Sequence, residues 1–499
     1  MEDIVNESEE EIVSMNIYQI IQQDFEKDTL KFDGILFNQI LENFTSANKN
    51  NDACSINTMT EIFKCLHCFL TSFTDNQSLI SSLRENEHFK DAVIENLTLF
   101  NNIDMIIGNL TFLNLLSSFE DNELIKFYFD IDTIEKLVER LMNISEIYEK
   151  SSFLSNSNPE NLDDEEIHII CKCILFIIEN ISLSSIYDSE IIKNILLTLL
   201  EFLNACTDRL VFSTLTVIKT VLSQLLKLQK EQLESLELLF SRCSRKMIEM
   251  IELNDDLKVI SRCLGVLGAI TRYWKTENSL NYFSELLVLM FHLLEQINTN
   301  EEEYAQVFEE NYMICLHNLS DFKNFREFVF QNIDFDLLWS KFYGIGDESN
   351  QNFIFYLCRL ICKEIHRFSK LNIIQKLLDV YTDSNIPIKK SIFFTITESL
   401  NFLTDDDKVL LLESEFIQNS EPVSVLSPET ATNYAELVLF LLNTIKSDEH
   451  LISLYLDQFK ELSTLNEIEE LKDINSSFEK AGLLIDSIRE ILKSFNIDL

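Results

Sequence analysis

The chain has 499 residues, of which 46% are hydrophobic and only 7 are Gly and 4 are Pro, so it can bury a large core and offers few linkers between separate domains. Its 40 basic and 83 acidic side chains give a formal charge of −43. Such a surface repels nucleic acid and anionic lipid, and the charge therefore argues against both and favours protein partners, basic segments among them.

The amino-terminal stretch MEDIVNESEEEIV is acidic and lacks the basic and apolar regions of a secretory signal. The longest apolar runs reach about half of the ~20 residues that a membrane span needs. The 11 Cys fall mostly on apolar helical faces, which predicts reduced thiols rather than a disulfide framework. We therefore expect a protein of the cytosol, or of cytosol and nucleus, that does not insert into membranes.

Amphipathic helical patterns follow one another along almost the whole chain, and no useful period-two strand pattern interrupts them. The polar, acidic stretch EKSSFLSNSNPENLDDEE is predicted to be a loop insertion. The predicted organisation is capping helices over 1–50, repeats over 51–148, the loop over 149–166, repeats over 167–446, and capping helices over 447–499.

Four helical stretches share one apolar stripe, in which a Cys is followed by Leu or Ile. Their offsets of i, i+3, i+4 and i+7 place all four residues on one side of a helix. A small Cys allows close approach of a neighbouring helix, and the branched residue beside it fills the remaining space. The stripes are Ile62/Cys65/Leu66/Phe69, Ile170/Cys173/Ile174/Ile177, Ile260/Cys263/Leu264/Leu267 and Tyr312/Cys315/Leu316/Leu319.

Neighbouring core helices are mostly ~36–50 residues apart, a range that includes the ~40–47 residue period of HEAT and armadillo repeats. Second amphipathic helices fit between them, as in SEIIKNILLTLLEFL. Ser427 before Pro428, and Thr404 before Asp407, are predicted helix starts. The chain resembles an armadillo/HEAT-like protein. This resemblance implies an all-α fold, a right-handed armadillo-like superhelical solenoid of about nine or ten repeats.

CLHNLSDF is similar to the third helix of an armadillo repeat. In families that clasp extended peptides, the Asn of this motif faces the concave groove and hydrogen-bonds the peptide backbone. The resemblance therefore implies a partner-binding role for Asn318, which we expect to project away from the core stripe. The equivalent positions of the other three stripes are Cys68, Phe176 and Val266, so no ladder of Asn side chains is predicted.

The segment from Lys219 to Lys275 is basic in an otherwise acidic chain. If Arg242, Arg245, Arg262 and Arg272 line one surface, they form a patch for an acidic partner segment or a phosphate. The alternative is a solvated face whose cations pair with nearby Glu. Trp274 is a candidate interface aromatic, with burial in the core as its alternative.

No catalytic motif is evident. Phosphate-binding loops and nucleophile elbows need Gly, and neither Gly265 nor Gly268 lies in such a pattern. Cys65, His67 and Cys68 diverge around one helix, and Cys358 lies ~12 Å from His366 along another. We predict no enzyme activity, no metal site and no cofactor.

The predicted function is a non-enzymatic scaffold that binds partner proteins along the concave face of a helical solenoid. The alternative is an armadillo-type regulatory factor, a chaperone or nucleotide-exchange factor, for a small GTPase or a heat-shock ATPase. A nucleotide-release assay separates the two, because a passive scaffold leaves the nucleotide off-rate unchanged.

Overall fold

The computed structural model describes residues 17–50, 53–74, 76–97, 103–153, 164–184, 186–228, 236–276, 279–297, 304–460, 462–495 and 497. The chain divides into two compact units, Met1–Ile251 and Glu252–Leu499. Within the described residues all regular elements are helices, and no strand occurs.

The helices of the first unit are α1 (17–26), α2 (Gly34–Asn50), α3 (Ala53–Ser72), α4 (Gln77–Glu85), α5 (Glu87–Glu95), α6 (Ile103–Ser117), α7 (Asn122–Tyr128), α8 (Ile131–Phe153), α9 (Asp164–Leu183), α10 (Ser189–Ala205), α11 (Asp208–Leu228) and α12 (Glu237–Leu253), whose last two residues belong to the second unit. Helices α8 and α9 extend into both ends of the predicted 149–166 insertion. Residues 154–163 of that insertion lie outside the described residues.

The helices of the second unit are α13 (Leu257–Tyr273), α14 (Ser279–Gln296), α15 (Ala305–Leu319), α16 (Lys323–Asn332), α17 (Phe335–Phe342), α18 (Asp347–Cys362), α19 (Ile374–Tyr381), α20 (Ile386–Ser399), α21 (Asp405–Glu413), α22 (Phe416–Ser424), α23 (Pro428–Lys446), α24 (Glu449–Tyr455), α25 (Ser463–Ile474) and α26 (Glu479–Ser494). Short 3-10 helices follow α18, α20, α24 and α25, at Ile365–Leu371, Leu400–Phe402, Leu456–Phe459 and Ser476–Phe478.

Two of the helix starts carry the predicted caps. The Thr404 hydroxyl accepts from the Asp407 backbone N–H, and the Asp407 carboxylate accepts from the Thr404 N–H. Ser427 caps α23, with Pro428 at its first position. Each cap satisfies backbone groups that a helix leaves without an internal partner, and so it fixes where the helix begins.

Each unit contains a row of core helices that pack side by side in chain order. In the first unit α3 packs on α6, α6 on α9, and α9 on α11. In the second unit the row runs through α13, α15, α18, α20, α23 and α26. The shorter helices flank these rows, as α10 does where it packs on α11. This arrangement explains the repeat period, since each core helix recurs after one flanking set.

All four Cys-Leu/Ile stripes lie in the rows of core helices, as the packing argument predicts. Cys65, Cys263 and Cys315 are fully buried, and the Cys315 thiol donates to the Leu264 carbonyl at 3.1 Å. The α9 stripe differs in one position. Cys173 is only half-buried, and Cys171 is the thiol that faces the core.

Gly268 allows the close approach of α13 and α15. A Cβ at this position would lie 3.2 Å from Ile314 Cγ2 and 3.4 Å from Cys315 Sγ. Gly108 has the same role in the first unit, where a Cβ would lie 3.1 Å from the Phe63 ring. Glycine is needed here because a side chain would push the helices apart.

One helix among the described residues, α11, is long and apolar enough to cross a membrane. In its most apolar window 56% of the helix is buried, and it packs on both α9 and α10. A core helix in a row of repeats satisfies the same criterion of length and composition, so this property alone is weak evidence for a membrane span.

Candidate partner-binding surface

Asn318 lies between two core helices instead of facing solvent, so its expected orientation is wrong. The side chain is 8% exposed, and its Nδ2 donates to the Gly268 carbonyl oxygen at 2.9 Å. Seven residues earlier on α15, Asn311 donates in the same way to the Ser261 carbonyl at 3.0 Å. The two amides therefore connect α15 to carbonyl oxygens of α13.

Trp274 is also a core residue. It is 2% exposed, and its ring centroid lies 5.7 Å from the rings of both Tyr282 and Phe283. The alternative, burial of Trp274 in the core, is therefore correct, and this side chain is not available to a partner.

The four predicted arginines are divided between the two units. Arg242 and Arg245 are exposed on α12 of the first unit. Arg262 is half-buried and Arg272 is exposed, both on α13 of the second unit. A single patch made by all four stays a prediction, whereas the surroundings of each pair are defined within its own unit.

Arg272 belongs to a row of cationic and aromatic side chains near the carboxyl ends of three consecutive core helices. Its guanidinium lies 5.5 Å from the centroid of the Tyr273 ring on α13. On α18 the Arg359 guanidinium lies 5.3 Å from the Phe355 ring. Between them, the ring of His317 on α15 lies 6.3 Å from that of Tyr356 on α18. We call this surface the cation–aromatic face; it consists of Arg272, Tyr273, His317, Phe355, Tyr356 and Arg359.

An ion bridge connects the same three helices just beyond their ends. The Asp321 carboxylate, after α15, lies 2.6 Å from the Nζ of both Lys275, after α13, and Lys363, after α18. Burial opposes ionisation of Asp321, but the hydrogen bonds and charges of the two lysines outweigh it and lower its pKa to about 2. Lys363 also donates to the His317 carbonyl oxygen. Cations at these positions also interact favourably with the negative ends of the helix dipoles.

The pKa of His317 depends on its burial and on the cations near it. Burial, followed by the charges of Lys363 and Arg359, lowers the pKa of its imidazole to about 4. The imidazole is therefore neutral near pH 7. Burial, followed by the charge of Glu310, raises the pKa of Tyr356.

Sequence reasoning identified only Arg272 of this face. His317 and Arg359 follow it at intervals of 45 and 42 residues, close to the repeat period. A search for basic or His residues that allowed the interval to vary over ~40–47 residues would have found them. Among the described residues, no group of three or more His, Cys, Asp and Glu side chains is arranged to hold a metal ion.

These helices form an all-α armadillo-like solenoid. Solved structures that share the fold include the following three. SYS-1 aligns with a TM-score of 0.62 and 13% identity over 95% of this chain and 87% of its own. The SYS-1/POP-1 complex gives a TM-score of 0.60 and 14% identity over 96% of this chain and 84% of the matched one. An engineered protein gives a TM-score of 0.59 and 12% identity over 90% of this chain and 98% of its own.

These low identities show the fold alone. No protein-family model matches the chain. No curated protein matches it significantly in sequence.

Proposed function

We propose that this protein is a non-enzymatic scaffold of the cytosol, or of cytosol and nucleus, that binds an acidic segment of a partner protein on the cation–aromatic face. The observation that carries the proposal is the row formed by Arg272, His317 and Arg359 on three adjacent core helices. SYS-1, which has the same fold, was solved in complex with POP-1. That complex supports partner binding as a use of the fold.

The chemistry of the face selects the class of partner. Arg272 and Arg359 are exposed at the face and present guanidinium groups, which bind carboxylates through paired hydrogen bonds. The adjacent aromatic rings supply contact area at a low cost in side-chain entropy, and Arg and Tyr are enriched among residues that dominate binding energy. In a chain with a net charge of −43, this local positive surface would also orient an acidic segment during encounter.

Charge reversal at the face is expected to abolish partner binding. The partner is first identified by affinity purification from the native cell, and its affinity is then measured by titration. The double variant Arg272→Glu/Arg359→Glu should weaken binding by at least about 100-fold, since each close charge pair at an interface contributes ~1.5 kcal/mol or more. Binding to the wild type should also weaken as salt concentration rises.

The matched control is the double variant Lys446→Glu/Lys493→Glu. It makes the same change in net charge at two exposed lysines on α23 and α26. This control should bind like the wild type. If both double variants lost the same affinity, the loss would come from the change in net charge and not from the face. If Arg272→Glu/Arg359→Glu bound the partner like the wild type, the partner would bind elsewhere. Both results contradict the proposal.

A further inference from the structure

A second surface with different geometry lies in the first unit, between α10 and α12. It is a groove of about 450 Å³ between the two helices. The α10 wall contributes Leu197, Leu200, Glu201 and Asn204, and the α12 wall contributes Leu238, Ser241, Arg242, Arg245, Lys246 and Glu249. Neither helix belongs to the row of core helices, so this groove is separate from the cation–aromatic face.

The groove combines an apolar part with a cationic wall. Leu238 is 69% exposed and lines the groove together with Leu197 and Leu200. The stretch from Leu239 to Ile248 contains three cations and no acidic residue. Of these cations, Lys246 lies 3.6 Å from Glu249, whereas Arg242 has no carboxylate within ion-pairing distance in the described part of the chain.

We propose that this groove binds an amphipathic helix of a partner protein, with Leu or a similar apolar residue facing Leu197, Leu200 and Leu238, and acidic residues facing the α12 cations. The shape of the groove favours a helix because its walls are two helices whose lining residues recur every three or four positions, the spacing into which the side-chain ridges of a third helix fit. The lining residues of α12 span 238–249, ~16 Å along the axis at 1.5 Å per residue, or about three turns of a bound helix.

Charge favours an acidic helix over a basic one. The carboxylates that line the groove, Glu201 and Glu249, are fewer than its cations, and Glu249 is paired with Lys246. An acidic helix would give Arg242 the partner that the described structure does not provide, whereas a basic helix would place like charges together. Apart from the cation–aromatic face, the remaining surface of this −43 chain offers little competition for such a helix.

The test uses a synthetic 16-residue helical peptide with Leu on one face and Glu beside that face, labelled with fluorescein and titrated with the full chain by fluorescence anisotropy. Wild-type protein should bind it, and Arg242→Glu and Leu238→Glu should each weaken binding by at least about tenfold. A peptide with Lys in place of Glu should bind Arg242→Glu more tightly than it binds the wild type. This reversal would not arise from a folding defect.

Two controls define the site. Leu253→Glu alters an equally exposed Leu on the same helix, at 76% exposure and outside the groove, and should bind like the wild type. Arg272→Glu/Arg359→Glu tests whether the peptide binds the cation–aromatic face instead. A loss of affinity in this variant that equals the loss in Arg242→Glu would place the peptide outside the groove and overturn the proposal. Absence of binding to the wild type, or equal losses in Leu238→Glu and Leu253→Glu, would overturn the proposal.

Discussion

Replacement of Gly268 by Val is expected to lower the free energy of unfolding of the second unit by about 2–3 kcal/mol, in the range measured for overpacked cores. A Cβ alone would lie 3.2 Å from Ile314 Cγ2, and the two further methyl groups of Val have no space between α13 and α15. The same shift would lengthen the hydrogen bond from Asn318 to the Gly268 carbonyl, now 2.9 Å. The higher helix propensity of Val recovers only a few tenths of a kcal/mol.

Denaturant unfolding followed by circular dichroism measures this change. Gly346→Ala is the matched control, because a Cβ at Gly346 meets no atom within 4 Å and its backbone φ of 177° suits any residue. Gly346 is the N-cap of α18, where Ala is less favourable than Gly, so the control should cost no more than about 1 kcal/mol. If Gly268→Val were equally mild, α13 and α15 would not be in the close contact described here.

Replacement of Glu309 by Gln is expected to stabilise the protein at neutral pH and to remove part of its pH dependence. Glu309 on α15 is fully buried. One of its carboxyl oxygens accepts from the Ser349 hydroxyl at 2.7 Å, and the other, Oε1, is buried without a hydrogen-bond partner. Burial raises the pKa of this carboxyl to about 8, because a charge there would lose its hydration.

The sign of the effect follows from proton binding. Between the ordinary pKa of 4.5 and the raised value of about 8, the folded chain holds a proton that the unfolded chain has released. Stability must therefore fall as pH rises through this window, by up to ~1.4 kcal/mol per pH unit. Below pH 4.5 the carboxyl is protonated in both the folded and the unfolded chain, so stability does not change with pH there. Gln cannot ionise, and at pH 7 the variant should be more stable than the wild type by about 3 kcal/mol at most.

Denaturant midpoints measured from pH 5 to pH 8.5 test this prediction. At each pH the wild-type midpoint is subtracted from that of Glu309→Gln, and because all other groups titrate in both proteins, their contributions cancel. That difference should grow steadily with pH. Glu310→Gln alters the adjacent, exposed carboxylate and should give a nearly constant difference. If the wild-type and Glu309→Gln profiles ran parallel, Glu309 would be ionised normally and could not occupy the buried site.

The elements that depend on local sequence were predictable. The stripe around Cys315 has helical spacing, and burial of Cys315 and Leu316 confirms it. The start of α21 at Thr404 depends on the side chain three residues later, so the capping pair could be recognised directly. Both features involve residues within two turns of each other, where geometry is fixed by the helix itself.

The features that depend on neighbouring helices were not predictable in the same way. Asn318 lies at the edge of its stripe, and whether that edge is covered depends on the position of α13, whose Gly268 carbonyl accepts the hydrogen bond from Asn318. The α9 stripe shows the same limit: Cys171, on the opposite side of the helix from Cys173, is the more deeply buried thiol because neighbouring helices cover that side as well. One helical sequence does not contain this information, because the covering residues are about one repeat away.

The candidate site was predicted only in part for a related reason. Arg272 was recognised as part of a basic stretch along the sequence, but the surface is assembled across repeats. Arg359 lies in a different stretch and joins Arg272 only because α13, α15 and α18 pack in order. The unequal intervals of 45 and 42 residues hide this alignment from a search with a fixed period.

The most direct test of the cation–aromatic face is an NMR titration of His317, assigned by comparison with His317→Asn. If α15 and α18 bring Lys363 and Arg359 to this imidazole as described, its pKa will be about 4 and will rise in Arg359→Glu. A wild-type pKa near the ordinary 6.5, unchanged in Arg359→Glu, would show that the cations are not assembled there and would contradict the account.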